Sequence, residues 1–182
     1  MKNHILSAFR LSVVMLVIVG IYLGVVYAGS KVLPTQGNAE IINYKGQKFY
    51  ANIGQNFRSP KYFHGRPSAV DYNASGSAGS NKGPSNEEYL QTVQKRIDTL
   101  KMQNPEMENV KVPVELVTAS GSGLDPDISP EGALYQIKRI AKIRNLSAEK
   151  LEDLIKNQTE NTLFGPSKVN VLKLNMALND LK

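Results

Sequence analysis

The sequence predicts an α+β protein: one N-terminal membrane helix followed by a small mixed α/β domain. Three observations predict it. Residues Leu11 to Ala28 (LSVVMLVIVGIYLGVVYA) carry no charge, and a run of that length is at the threshold for a helix crossing the hydrocarbon core. The chain after Lys31 is polar and mixed. Within that part, helical periodicities opened by capping residues alternate with short apolar runs bounded by turn residues.

The first element is the anchor. A helix satisfies its own backbone hydrogen bonds, so lipid tolerates it. Ile5 to Phe9 are mostly apolar and can extend it. A cleaved signal peptide is the alternative, with Val26-Tyr27-Ala28 as its cutting site. Its apolar region is normally shorter than this one. Lys2 and Arg10 precede the span and Lys31 follows it. That bias favours a cytoplasmic N-terminus over residues 1–10, a span over 11–28 and an extracytoplasmic domain over 29–182. Tyr22 and Tyr27 suit the outer interface. Gly20 and Gly24, four residues apart, share a helix face and allow a neighbouring helix to approach closely.

Composition narrows the functions available. The chain has 182 residues, and removing the anchor leaves about 150, enough for one ordinary core. It has no cysteine, which excludes disulfides, zinc–thiolate sites and thiol catalysis. The net charge of +6 is scattered rather than blocked. It suits an anionic lipid surface or an acidic partner better than nucleic acid.

The domain elements follow in order. Ile41–Tyr44 and Phe49–Ile53 read as a hairpin across Lys45-Gly46-Gln47-Lys48, with Gly46 taking positive φ. Ser68 to Pro84 reads as an ordered loop. Ser85 and Glu88 have capping-box spacing, and Leu90, Val93, Ile97 and Leu100 form one buried helix face up to a stop at Pro105. Val112, Val114 and Leu116 alternate as a strand. Ser129 caps a helix with Pro130 at its first position and an apolar face of Ala133, Ile137, Ile140 and Ala141. Ser147 caps a short helix carrying Leu151, Leu154 and Ile155. The tail, with Val171, Leu174, Leu178 and Leu181, fits a helix capped by Asn170. A strand beginning at Val169 is the alternative.

Catalytic groups are sparse. His4 belongs to the anchor flank, and His64 alone makes no multi-histidine metal site. The segment around Ser120, Gly121, Ser122 and Gly123 lacks the glycine that a nucleophile elbow needs two residues before its serine. A Ser122–His64–Asp125 set can be drawn, which leaves a membrane-anchored hydrolase as the alternative function. No P-loop occurs. The amides around Gly121 and Gly123 suit either an anion-binding nest or a tight structural loop. Tyr62, Phe63, His64 and Arg66 combine aromatic rings, an imidazole and a cation as docking surfaces do.

Longer motifs then occur in a fixed order: YFHGRPSA (Tyr62 to Ala69), Tyr72-Asn73, SNKGPSN (Ser80 to Asn86), LVTASGSGLDPDISP (Leu116 to Pro130), Gln136 and Arg139 with Ala141, and VNVLKLNMAL (Val169 to Leu178). With the N-terminal span, they strongly resemble the C-subunit family of the bacterial Kdp potassium-transporting P-type ATPase, over essentially the whole chain. The family often has histidine where this chain has Asp127, so no imidazole role carries over there.

The resemblance implies a non-catalytic accessory subunit of a high-affinity potassium importer in the bacterial inner membrane. Its implied partners are a channel-like potassium-binding subunit, a P-type ATPase subunit and a very small membrane subunit. ATP and potassium act at the level of the complex, with no cofactor bound directly by this chain. The family is also associated with a chaperone-like role that raises the pump's affinity for ATP, for which Ser120, Gly121, Ser122, Gly123 and Gln136 are the weak nucleotide-contact candidates. That role conflicts with an extracytoplasmic domain, because ATP is cytoplasmic.

Overall fold

The computed structural model describes residues 2–163 and 165–181, with all of their side chains except those of Lys2 and Asn3. The chain divides between Glu40 and Ile41 into two compact units.

The first unit is dominated by α1, Lys2–Ser30. Among the described residues, one helix, His4–Ser30, is long and apolar enough to cross a membrane. A Cβ added at Gly20 or Gly24 would meet nothing within 4 Å. The Ser30 hydroxyl donates to the Tyr27 carbonyl at 2.8 Å, where the helix gives way to turns.

The second unit starts with β1, Ile41–Tyr44, and β2, Gln47–Tyr50, paired antiparallel with Ile42 opposite Phe49. The loop is Lys45-Gly46, shorter than the four residues expected. Both have positive φ, 48° and 79°, the primed-turn geometry that matches strand twist. The Tyr44 hydroxyl ties the hairpin down by donating to the Asp180 carboxylate at 2.9 Å.

Helix α2, Glu87–Gln103, begins one residue later than the capping-box reading. Asn86, not Ser85, is the cap, accepting from the Tyr89 N–H at 2.9 Å. Glu88 is turned outward to Lys82, 2.9 Å away. Leu100 is buried, and Val93 and Ile97 pack on the core, whereas Leu90 is half exposed. The expected strand at 112–116 is instead a 3₁₀ turn over Val114–Leu116. The Leu116 and Val117 N–H groups donate to Pro113 and Val114 carbonyls at 3.1 Å. This curl carries both Leu116 and Val117 into the core, which strand alternation cannot do.

After β3, Asp127–Ile128, the Ser129 side chain caps α3, Pro130–Leu134, as expected. The helix does not run on. It breaks at Tyr135-Gln136 and resumes as α4, Ile137–Arg144. The Gln136 side-chain amide donates to the Gly132 carbonyl at 3.1 Å. Its backbone N–H bonds instead to Ala133, which tightens the turn. Ser147 caps α5, Ala148–Gln158. The tail combines both readings: β5, Lys168–Asn170, runs directly into α6, Val171–Asp180, with Asn170 as cap. β5 is the centre of a sheet unforeseen in the sequence, ordered β3-β5-β4, with β4 at Thr159–Glu160. All neighbours are antiparallel. These strands have two or three residues each, too few for alternation to show. Core side chains include Val169, Leu151, Ile140, Leu174, Leu178 and Phe63, none more than 0% exposed.

Candidate functional site

The long motifs converge on one extended segment, residues 60–67, whose backbone is held by side chains rather than by a neighbouring strand. Asn175 on α6 brackets Phe63: its Oδ1 accepts the Phe63 N–H and its Nδ2 donates to the Phe63 carbonyl, each at 2.9 Å. Gln136 brackets His64 in the same way, at 2.8 Å and 3.1 Å. Arg139 donates from Nη1 to the carbonyls of Pro60 and Tyr62, from Nη2 to the Gln136 Oε1 at 2.7 Å, and from Nε to Asn104 at 3.1 Å. Arg144 extends the pattern, donating to the Lys61 carbonyl at 2.8 Å and stacking 4.8 Å from the Tyr62 ring centre.

Gln136, Asn175, Asn104 and Arg139 are all buried. Buried amide and guanidinium groups are costly unless bonded, so these four are tied to the shape of the segment. Burial lowers the Arg139 pKa to about 10. Its bonded partners are neutral oxygens. His64 lies close by, and its Nε2 donates to the Ser59 carbonyl, 3.1 Å away. Burial, and secondarily the Arg139 charge, lower its pKa to about 4, so its imidazole is neutral near pH 7.

The glycine loop packs against the other end of this segment. Arg66 pairs with Asp125 at 3.0 Å, the Ser120 N–H donates to the Pro67 carbonyl at 3.1 Å, and the Ser77 hydroxyl donates to the Ser122 carbonyl at 2.9 Å. Gly123 has φ +69°, and a Cβ there would lie 2.6 Å from Val70 Cγ2 and 2.7 Å from the Ala78 oxygen. Glycine is required on both counts.

The candidate residues therefore divide. Phe63 is fully buried and has no surface to offer a partner, which corrects its reading as a docking residue. Gln136 is fully buried and makes two bonds through each amide atom, so the weak expectation that it contacts nucleotide fails for want of access. Ser120 and Gly123 are also buried, whereas Gly121 and Ser122 are exposed. Tyr62, His64 and Arg66 remain partly exposed. The hydrolase set does not assemble. The Ser122 hydroxyl accepts from the Leu124 N–H, His64 faces Ser59 and Asp125 faces Arg66. No hydrogen bond among the described residues joins the three. Nor do the described residues contain a cluster of three metal-ligating side chains.

His64 and Arg66 also line a cleft of about 470 Å³ between this segment and α2. Phe57, Leu100 and Leu116 form its apolar lining, and Arg58, Lys95 and Arg96 add charge. The sequence reading missed this α2 wall and the partner network of Arg139. The available signal was polar: Gln136 and Arg139 interrupt an otherwise apolar helix face.

Among the described residues, the chain combines one N-terminal helix long and apolar enough to cross a membrane with a small α+β domain whose buried motif side chains bond to its own backbone. Residues 5–180 match the family model "K+-transporting ATPase, c chain". The chain is 52% identical to the potassium-transporting ATPase KdpC subunit of Flavobacterium johnsoniae, over the full length of both. It is 50% identical to that of Flavobacterium psychrophilum, again over both full lengths. The Bacillus thuringiensis subunit of that name is 43% identical, covering 99% of this chain and 97% of the relative. The chain belongs to the KdpC family, and its function is that of an accessory subunit in the potassium import complex.

Proposed function

We propose that this chain is a non-catalytic docking subunit that assembles and stabilises the complex. Its partners on this reading are the channel-like potassium-binding subunit, the P-type ATPase subunit and the very small membrane subunit. The observation that carries the reading is the state of the motif residues: Gln136, Arg139 and Asn175 are buried and bonded to the backbone of residues 60–64. They hold a surface in shape, and no hydrogen bond among the described residues joins Ser122, His64 and Asp125 into a nucleophile–base pair. ATP and potassium are then handled by the other subunits. The effect on ATP affinity implied by the family resemblance passes through the complex, and Gly121 and Ser122 take no part in nucleotide contact.

In this proposal α1 crosses the inner membrane once with a cytoplasmic N-terminus, as the Lys2 and Arg10 bias favours. The domain lies outside, and the Gly20–Gly24 face packs on a neighbouring membrane helix. Cysteines placed at the exposed positions Ser77 and Lys150 test the orientation against a clean background, since the chain has none. Both should react with an impermeant thiol reagent in intact cells. Reaction only after membrane rupture contradicts the orientation. The purified full chain should show no ATP turnover; turnover that a point substitution abolishes contradicts the non-catalytic role.

A further inference from the structure

The 470 Å³ cleft is unlike the polar network behind it, because its charges are incompletely matched. Among the described residues, four cations line it, Arg58, Arg66, Lys95 and Arg96, and no carboxylate does. Arg58 and Arg66 have acidic partners outside the lining, Asp71 and Asp125. Arg96 donates only to the Val117 carbonyl, at 3.1 Å, among the described residues. The Lys95 ammonium is exposed and has no hydrogen bond or ion pair among them. Nor does His64 add charge, since its pKa is about 4. The Arg66 Nε is buried without a hydrogen-bond partner among the described residues.

Helix geometry explains the arrangement. Thr92, Lys95, Arg96 and Thr99 fall at i, i+3, i+4 and i+7, so they share one face of α2. That face looks onto the 56–67 segment across the cleft. Below the cations, Phe57, Leu100 and Leu116 supply apolar surface. A small inorganic anion would use the charges and leave the apolar surface wet. A flat lipid surface matches a recess less well than an inserted side chain does. Charge complementarity and the apolar floor together favour a peptide.

We propose that this cleft docks an acidic peptide segment of another subunit of the Kdp complex, with a carboxylate against Lys95 and Arg96 and an adjacent apolar side chain on the floor. The proposal rests on the docking reading above and names its contact. Charge-paired contacts of this kind set register and are sensitive to charge reversal.

The test uses the full chain, tagged, expressed with its complex under potassium limitation and recovered in detergent. Lys95→Glu alone, and Lys95→Glu with Arg96→Glu, should each lower recovery of the large subunits, by about tenfold for the double variant. Lys95→Arg should retain it. The melting temperature of Lys95→Glu should stay at the wild-type value, because that side chain supports nothing in the fold. If wild type recovers the large subunits and both reversals do so equally well, the cleft assignment is wrong and the docking reading stands. If wild type recovers none, the docking reading fails and takes the cleft with it. Normal recovery, combined with lost binding of the double variant to phosphatidylglycerol vesicles, makes the cleft a lipid site and overturns the proposal.

Discussion

Cations approach the 56–67 segment from two sides, and their partners differ. On the inner side, all three nitrogens of Arg139 donate to oxygens of Pro60, Tyr62, Asn104 and Gln136. On the cleft side, Lys95 has no partner among the described residues and Arg96 has one carbonyl. A saturated buried cation serves the fold, since removing it strands the groups it bonds. An unsaturated cation at a recess contributes little to the fold and is free to meet something else. The difference assigns the inner side to stability and the cleft side to association.

The largest effect should come from breaking the inner side. Arg139→Leu leaves the Pro60 and Tyr62 carbonyls and the Asn104 Oδ1 without their donor and removes one of the two donors to the Gln136 Oε1, and should cost more than about 3 kcal/mol. Thermal unfolding should fall by roughly 10 °C. A loss below about 1 kcal/mol would place the arginine outside the stabilising network.

Next comes the glycine loop that supports the segment from Pro67 onward. Gly123→Val meets both a positive φ and two contacts under 3 Å. Chemical denaturation should show a loss of about 2–4 kcal/mol. Gly121→Ala is the control, because a Cβ at Gly121 meets nothing within 4 Å. It should change stability little.

His64 sharpens the comparison through pH. Its folded pKa is lowered to about 4 from 6.5, so the fold favours the neutral ring. The unfolded chain therefore binds the extra proton between these values, and stability is lost as pH falls from about 6.5 towards 4. Above that window the contribution is complete, on the order of 3 kcal/mol. His64→Gln should flatten the pH dependence of the unfolding free energy across that window. An unchanged slope would show that another group titrates there.

The smallest effect concerns the anchor. Gly20→Leu with Gly24→Leu places side chains in open space, so membrane insertion should be unchanged. Recovery of the complex should fall several-fold if that face packs on a neighbour. Full recovery would remove the interface from the proposal.

The sequence makes the local signals legible and leaves the long-range ones hidden. Ser129, Ser147 and Asn170 cap helices because a cap is a contact over three residues, and that spacing is visible in the chain. Gly46 takes its positive φ for an equally local reason. By contrast, the apolar alternation of Val112, Val114 and Leu116 does not reveal that the segment pairs with no strand among the described residues and curls into a 3₁₀ turn. Phe63 looks like a docking aromatic until Asn175, 112 residues away, is seen clamping its backbone. Gln136 looks like a ligand contact until its amide is found spanning His64 and Gly132. The cleft joins α2 to a segment some 30 residues earlier, and neither wall signals it alone.

Amide hydrogen exchange of the full chain tests the central claim most directly, at the N–H groups of Phe63 and His64. These donate to the buried side chains of Asn175 and Gln136, so they should exchange only on global unfolding, as slowly as core amides of α6. Gln136→Ala should release His64 first. Exchange of both amides at the rate of an exposed loop in the wild-type chain would show that the segment opens independently of the fold, and would contradict its assignment to stability.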